Sequence, residues 1–319
     1  MKGMELAKAY YEKYGTGMIE SVCGKADAEK IAVGLVGEGS QCFGFDDEIS
    51  TDHDFGPGFC IWLNEELYGR IGWLLSQAYS KLPSEFQGFS TANIQDKSRV
   101  GVMSICGFYR KYTGLETIPQ TNRQWLFLRE TDLAVCTNGK VFAEGNGKFM
   151  EYRQTLLNYY PEDVLRKKIA ARCAVMSQAG QYNLLRCLKR EDGPAAILAV
   201  GKFTEAALSL VYLLNRKYMP FYKWAFHGLK KLDRLTETAA DFQKLPYIFD
   251  DVQECGWKKA YDNAFELTEK ICTESLAELN KQGFTSGSDP FLQNHLGQIM
   301  SGIKDEEIRK LPPIFDYGL

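Results

Sequence analysis

The stretch that decides the fold reads Ile31-Ala-Val-Gly-Leu-Val36, then Gly37-Glu38-Gly39-Ser40 and, after eleven further residues, Asp52-His53-Asp54-Phe55. The apolar run predicts a buried strand over residues 30–37. The glycines that follow predict a sharp turn, because glycine adopts backbone conformations that other residues avoid. Backbone N–H groups in such a turn, together with the hydroxyl of Ser40, can approach a phosphate closely.

Two carboxylates are predicted to share one side of a second strand. Alternate residues of a strand point to the same face, so Asp52 and Asp54 aim at one point while His53 faces away. Phe55 and the apolar run 59–63 are predicted to continue this strand. Like charges so close together repel unless a cation lies between them, and Mg²⁺ (or Mn²⁺) prefers such oxygen ligands. The alternative is an acidic surface loop after a glycine-rich bend.

In order, spacing and strand context, Gly37–Phe55 resembles the signature of the polymerase-β-like nucleotidyltransferase superfamily, which includes aminoglycoside nucleotidyltransferases. Later segments, among them Gln181-Tyr182-Asn183 and Leu213-Leu-Asn-Arg-Lys-Tyr218, resemble a bacterial family of two-domain nucleotidyltransferase-like proteins of unassigned function. The resemblance implies a magnesium-dependent transfer of a nucleoside monophosphate from a nucleoside triphosphate, with ATP expected. The unidentified acceptor is a small hydroxylated molecule or a protein side chain. Gly39 and Ser40 would hold the β and γ phosphates.

A third carboxylate usually completes such a site, as a metal ligand or as the base that takes the proton of the nucleophile. Glu144, on a predicted later strand, is the first candidate for this catalytic role. Glu130 and Asp132 fall on a predicted helix, where a solvated face is the favoured interpretation. Asp192, in the helical part of the chain, is the remaining candidate.

Basic residues of the second half are candidates for binding the triphosphate. Arg186, Lys189 and Arg190 recur at helical spacing and can neutralise phosphates, or they can form a solvated basic face. Lys223, beside Trp224, is a candidate contact to a base or a substrate ring. The alternative is that Trp224 packs in a core while the lysine extends to solvent.

The pattern of the whole chain predicts an α+β fold: a mixed sheet with helices of the nucleotidyltransferase type, followed by an all-α helical bundle. The expected domains are residues 1–150, catalytic, and 151–319, for substrate or partner binding. Asn64 is predicted to cap a helix that Pro83 ends, and Gly283 is predicted to end a helix over 251–282. Further predictions are helices over 4–14, 16–23 and 125–135, strands over 99–106 and 141–144, and a loop over 84–97.

Composition indicates a cytoplasmic protein. The chain has 319 residues, a net charge of −3 and no basic run suited to duplex nucleic acid. Its nine cysteines are scattered, which favours free thiols over disulfides or a zinc site. No apolar run approaches the length of a membrane span, so no membrane association is expected. The tail 311–319 is predicted to be non-helical, with Ile314, Phe315 and Tyr317 available to dock.

Two functions remain open on the sequence. The first is the nucleotidyltransferase described above. The second is a non-catalytic nucleotide-binding or antitoxin-like interaction protein that keeps the fold without turnover. A complete set of carboxylates facing one cleft favours the first function, whereas a cleft with only Asp52 and Asp54 favours the second.

Overall fold

The computed structural model describes residues 1–51, 54–250, 252 and 256–316. The chain divides into two compact units: unit 1 contains residues 1–119 and 132–158, and unit 2 contains residues 120–131 and 159–319. Unit 1 carries a small mixed sheet and unit 2 is helical, so the fold is α+β at this coarse level. The division nearest to the expected boundary at residue 150 follows residue 158, and residues 120–131 belong with the second unit.

The strands among the described residues are β1 (Ala32–Leu35), β2 (Cys60–Leu63), β3 (Glu85–Phe86), β4 (Phe89–Ser90), β5 (Gly101–Ser104) and β6 (Lys140–Ala143). Four of them form one sheet in the order β5-β2-β1-β6, and β3 and β4 form a hairpin. β1 pairs antiparallel with β2 and β6, and β2 pairs parallel with β5.

Helices surround this sheet in unit 1 and make up unit 2. Those of unit 1 are α1 (Gly3–Tyr10), α2 (Thr16–Cys23), α3 (Lys25–Ala28), α4 (Ser40–Phe43), α5 (Glu65–Tyr79), α6 (Ile105–Thr113) and α9 (Lys148–Leu157). α8 (Glu130–Thr137) runs across the division. Those of unit 2 are α7 (Asn122–Phe127), α10 (Glu162–Met176), α11 (Leu185–Lys189), α12 (Gly193–Leu214), α13 (Tyr222–Leu229), α14 (Ala239–Lys244), α15 (Trp257–Lys281), α16 (Leu296–Ser301) and α17 (Glu306–Arg309).

The strand β2 is buried on both faces, which explains why it reads as a continuous apolar run. Side chains alternate along a strand. Ile61 joins a cluster with Leu6 and Leu75 on one face. Trp62 stacks on Phe149 of α9 on the other, with ring centroids 4.0 Å apart. Side chains therefore cover both faces of the strand.

Several predicted elements differ from the structure. The strand predicted from Asp52 does not include Asp54, which lies in a bend, or Phe55, because β2 begins at Cys60. Asp52 and His53 lie outside the described residues. The strand predicted over 99–106 ends at Ser104, because the hydroxyl of Ser104 accepts from the backbone N–H of Gly107 and caps α6. The predicted loop 84–97 contains the β3–β4 hairpin.

Some of the predicted helix boundaries are confirmed and others are wrong. The side chain of Asn64 caps α5 as predicted, accepting from the N–H of Leu67. Gly283, with φ 75°, follows the end of α15, but this helix begins at residue 257, and residues 251 and 253–255 lie outside the described part. The helix predicted over 125–135 is interrupted between α7 and α8.

Among the described residues, α12 is the one helix long and apolar enough to cross a membrane, with a mean hydropathy of 1.6 over its most apolar window. That window is 67% buried inside the structure. The core helix of a soluble protein has the same properties, and the burial of α12 is consistent with that interpretation.

Candidate functional site

Strand pairing brings four loops of unit 1 to one edge of the sheet. Because β1 and β2 are antiparallel, with Gly34 opposite Cys60, the chain after β1 lies beside the chain before β2. β5 runs parallel to β2, so the residues that precede it reach the same edge. β6 is antiparallel to β1, with Leu35 opposite Lys140, so its preceding loop also lies there. The candidate site is this edge, made of residues 37–40, 54–58, 96–99 and 138–139.

The turn after β1 requires glycine at two positions. Gly37 has φ 141° and Gly39 has φ 107°, values that residues with a Cβ rarely adopt. Asn138 fixes the turn, since its Oδ1 accepts from the N–H of Gly37 at 3.0 Å and its Nδ2 donates to the Gly37 carbonyl at 2.8 Å. Ser40 follows as the first residue of the short helix α4. The turn is therefore held in shape by a side chain from the neighbouring loop.

Asp54 occupies the same edge and is held from two sides. Its backbone has φ 52°, in the left-handed region. Its Oδ1 accepts from the backbone N–H groups of Gln95 and Asp96, at 2.9 and 3.1 Å. Its Oδ2 lies 3.1 Å from the guanidinium of Arg99. The carboxylate is thus fixed through one oxygen and paired with a cation through the other.

Arg99 links Asp54 to the glycine turn. Its Nε lies 3.6 Å from Glu38 and 3.7 Å from Asp96, distances of ion pairs without a hydrogen bond to that nitrogen. A Cβ placed on Gly39 would lie 3.9 Å from a guanidinium nitrogen of Arg99, so the guanidinium stands next to the turn. The side chain of Arg99 is 25% exposed and that of Asp54 is 15% exposed, so the pair remains open to solvent.

The helix α6 adds a second cation and a phenol. Nζ of Lys111 lies 3.2 Å from a carboxylate oxygen of Glu38. The hydroxyl of Tyr112 lies 3.6 Å from the position of a Cβ built on Gly37. Burial raises the pKa of Tyr112 above its ordinary value, with the charge of Glu38 acting in the same direction, so this phenol stays protonated at neutral pH.

The sequence did not identify Arg99, Lys111 or Asn138 as site residues. Arg99 stood at the first position of a predicted strand, next to the loop 84–97. The available signal was a charged residue at the start of a predicted strand. The pairing of β5 with β2, which the sequence does not show, was needed to use it.

Glu144 does not lie at this edge, which corrects its assignment as the third carboxylate. It follows Ala143, and Ala143 pairs with Val33 near the start of β1. In the turn that follows, the backbone N–H of Asn146 donates to the carbonyl of Lys30. Glu144 is exposed at the end of β1 opposite to the glycine turn. A strand over 141–144 was predicted, close to β6, but its direction relative to β1 was not.

The other acidic candidates have structural surroundings of their own. Asp192 caps α12, where its side chain accepts from the N–H of Ala195. Glu130 is buried, 2% exposed, which contradicts the expected solvated face. Asp132 is half-buried in α8. Among the described residues, no group of three or more His, Cys, Asp or Glu side chains is arranged to hold a metal ion; Asp52 lies outside that set.

The basic candidates lie on the surface of unit 2. Arg186 packs over the ring of Tyr182, 4.8 Å from its centroid, and donates to its hydroxyl. Lys189 lies 4.9 Å from the ring centroid of Tyr261. Arg190 and Lys223 are exposed, and Lys223 lies over the ring of the half-buried Trp224. These contacts match the solvated basic face and the packed tryptophan that were the alternatives to phosphate binding.

Comparison with known proteins gives a family match for part of the chain. Residues 125–225 match the model of a domain of unknown function (DUF4037). This family is uncharacterised, and the match does not connect it with polymerase-β-like nucleotidyltransferases. No curated protein and no solved structure matches the chain.

Proposed function

We propose that unit 1 binds a nucleoside triphosphate, with ATP as the expected one, and transfers its nucleoside monophosphate to a small hydroxylated molecule or a protein side chain. One observation carries the proposal: a glycine turn, the carboxylate of Asp54 and two cations, Arg99 and Lys111, meet at one end of β1. Phosphoryl transfer needs positioning and charge neutralisation more than covalent help from the protein. This edge offers both.

Arg99 and Lys111 are the candidate contacts to the triphosphate. Arg99 pairs with Glu38, Asp54 and Asp96, and Lys111 pairs with Glu38. An incoming triphosphate carries more negative charge than one carboxylate and offers a guanidinium several oxygens. It can therefore compete for both cations, while the backbone N–H groups of the glycine turn approach it from the other side.

The resemblance implies a Mg²⁺ or Mn²⁺ ion on Asp52 and Asp54. The described geometry of Asp54 fits such a role: Oδ1 is held by two backbone N–H groups, and Oδ2 already faces a cationic group. Movement of Arg99 toward phosphate would remove its ion pair with Oδ2. When bound, the ion would neutralise charge on the phosphates and on the departing pyrophosphate.

The proposed reaction is a displacement at the α-phosphorus of the triphosphate. The acceptor oxygen forms a bond to the α-phosphorus, the bond from that phosphorus to the bridging oxygen breaks, and pyrophosphate leaves. The proton of the acceptor must pass to a base. Glu38 and Asp96 are the carboxylates that share Arg99 with Asp54, and they replace Glu144 as candidates for that role.

A non-catalytic nucleotide-binding or interaction protein is the second candidate function. The pairing of Asp54 with Arg99 favours it, because an arginine that stayed on this carboxylate would oppose a metal there. The two functions differ in one measurable property, since only the first releases pyrophosphate.

The test is a screen of labelled nucleoside triphosphates with Mg²⁺ or Mn²⁺ on the full chain. We expect Asp52→Asn/Asp54→Asn to abolish metal-dependent nucleotide binding and any transfer of label while the protein stays folded. Glu144→Gln is the matched control, since it also removes an acidic charge in unit 1 but at the opposite end of β1. Equal binding by the wild type and the double variant would refute the site. Binding without pyrophosphate release, across the tested acceptors, would favour the second function.

A further inference from the structure

Unit 2 buries a group of charged side chains that the proposed reaction does not use. Arg172, Lys167 and Lys168 come from α10, and their side chains are at most 1% exposed. Arg172 pairs with Glu130, at the start of α8, and both Arg172 and Lys168 pair with Asp316, in the segment after α17. Charged side chains are almost never buried to this degree unless they are paired. Removal of any partner in the group would therefore leave a buried charge uncompensated.

Each nitrogen of the Arg172 guanidinium donates to an acceptor. Its Nη2 donates to Glu130 at 2.5 Å, its Nε donates to the hydroxyl of Ser209 at 2.6 Å, and its other terminal nitrogen pairs with Asp316. Ser209 in turn donates to Glu130 at 2.8 Å. Burial acts to lower the pKa of Arg172, but the two carboxylates outweigh it and raise the pKa above its ordinary value.

The two lysines hold the segment 312–316 directly. Nζ of Lys168 pairs with Asp316 at 3.0 Å. Nζ of Lys167 donates to three backbone carbonyls, those of Pro312 at 2.8 Å, Pro313 at 2.9 Å and Phe315 at 2.7 Å. Every donor of the Lys167 ammonium group is thereby directed at this one segment.

The segment is anchored by charge rather than by apolar burial. The side chain of Asp316 is 0% exposed, whereas Ile314 is 46% exposed and Phe315 is only half-buried. The sequence had assigned the docking to apolar side chains, of which Tyr317 lies outside the described residues, and for Ile314 that prediction was wrong. A segment held mainly by a buried carboxylate behaves like a ligand with one acidic group.

The charge balance of the cluster favours an anion with more than one charge. With the segment in place, three cations face two carboxylates. Burial, reinforced by Lys168 and Arg172, still lowers the pKa of Lys167 to about 8, although Asp316 acts in the opposite direction. Without Asp316, the three cations would face Glu130 alone. The remaining excess of two positive charges matches the two negative charges of a phosphate monoester.

We propose that Lys167, Lys168 and Arg172, with the hydroxyl of Ser209, form an anion-binding site for a phosphate-bearing small molecule, and that the segment 312–316 occupies this site until such a ligand displaces it. The carboxylate of Asp316 stands where a phosphate oxygen of the ligand would bind. The site belongs to unit 2 and does not depend on the reaction proposed for unit 1.

The first test uses the full wild-type chain with inorganic phosphate as the probe. Amide hydrogen exchange at Phe315 and Asp316 is compared in phosphate, in acetate and in potassium chloride of equal ionic strength. We expect phosphate at millimolar concentration to accelerate exchange there at least fivefold, and acetate or chloride to do so much less. Exchange that is equal in all three solutions would overturn the proposal.

Variants identify the site of the response. Lys168→Met keeps the length of the side chain but removes one cation, and we expect it to abolish the phosphate effect. Lys202→Met, on the exposed face of α12, removes the same charge elsewhere and keeps the effect. Arg99→Met should also keep it. A response that survives Lys168→Met, or that Arg99→Met removes, would place phosphate somewhere else and refute the proposed site.

A chain that ends after Leu311 tests the site without its occupant. We expect this chain to bind inorganic phosphate at least tenfold more tightly than the full chain by calorimetry, and a synthetic peptide of residues 311–319 to compete. The same peptide with Asp316→Asn should not compete. A folded truncated chain that binds neither probe would show that the segment is only a structural support. If truncation prevents folding, the exchange measurement on the full chain decides alone.

Discussion

Arg99 in unit 1 pairs with three carboxylates and Arg172 in unit 2 pairs with two, but their surroundings differ. The side chain of Arg99 is 25% exposed, and its charged neighbours lie 3.1 to 3.7 Å away. Arg172 is 1% exposed, and it donates to Glu130 at 2.5 Å and pairs with Asp316. An arginine paired with carboxylates is therefore open to solvent in unit 1 and sealed from solvent in unit 2.

The difference shows what burial does to a charge network. Exposed ion pairs keep much of their hydration and contribute little to stability, so their partners can be exchanged for a ligand. Buried pairs have lost their hydration, and removal of one partner leaves an uncompensated charge. In the two proposals, Arg99 binds a triphosphate directly, whereas Arg172 and its lysine neighbours bind an anion after the segment 312–316 is displaced.

The largest expected effect is on Arg172. Arg172→Met leaves the carboxylate of Glu130 buried without its cation, and we expect the free energy of unfolding to fall by about 3–5 kcal/mol. Urea is the suitable denaturant, because guanidinium would itself screen charges. Arg186→Met, which removes an exposed arginine of the same unit, should cost less than about 1 kcal/mol. Equal losses in the two variants would contradict the contrast between sealed and open networks.

A smaller effect is expected from the titration of Lys167. Its pKa is lowered to about 8 in the folded protein, chiefly by burial, so between pH 8 and 10 the unfolded chain binds more protons. The free energy of unfolding should therefore rise with pH in this range through this group. In Lys167→Met, that contribution disappears, and the curve should rise less steeply than for the wild type. Parallel curves would mean that Lys167 titrates at its ordinary pKa. Lys202→Met serves as the control and should follow the wild type.

At the open network, two substitutions of Asp54 separate structure from charge. Asp54→Asn keeps an oxygen for the N–H groups of Gln95 and Asp96 and removes the charge facing Arg99, so stability should change by less than about 0.5 kcal/mol. Asp54→Ala removes both acceptors and should cost about 1–2 kcal/mol. Thermal unfolding of the two variants checks the difference. Equal midpoints would show that the hydrogen bonds to Oδ1 do not hold the loop.

The smallest expected effect is that of Glu144→Gln. This side chain is exposed and lies at the far end of β1, so both stability and nucleotide binding should stay within experimental error. A loss of nucleotide binding in this variant, measured against Asp54→Asn, would restore Glu144 to the site and contradict the strand direction on which the site was built.

The sequence predicted the elements that depend on local chemistry. The buried strand β1, the glycine turn after it, the Asn64 cap and the glycine after α15 follow from periodicity and from the conformational freedom of glycine. Arg99, Lys111 and Asn138 could not be found this way, because strand pairing brings them to the turn from distant parts of the chain. The position of Glu144 failed for the same reason: a predicted strand has no direction until its partner is known.

The burial of charged side chains was the other feature that could not be predicted from the sequence. Glu130 and Arg172 carry no local sign of burial, since a charged residue on a predicted helix usually faces solvent. Their partners Ser209 and Asp316 are far from them in the sequence. The basic residues that the sequence did favour for phosphate binding, Arg186 and Lys189, are on the surface against aromatic rings.

The most direct test of the central claim is to locate a nucleotide on the protein. Amide hydrogen exchange of the full chain is measured with and without ATP and Mg²⁺. Slower exchange is predicted at residues 37–40 and 95–99, at the end of β1 that carries the glycine turn, and it should be absent in Asp52→Asn/Asp54→Asn. Protection confined to unit 2, or protection that the double variant retains, would contradict the assignment of the nucleotide site to this edge of the sheet.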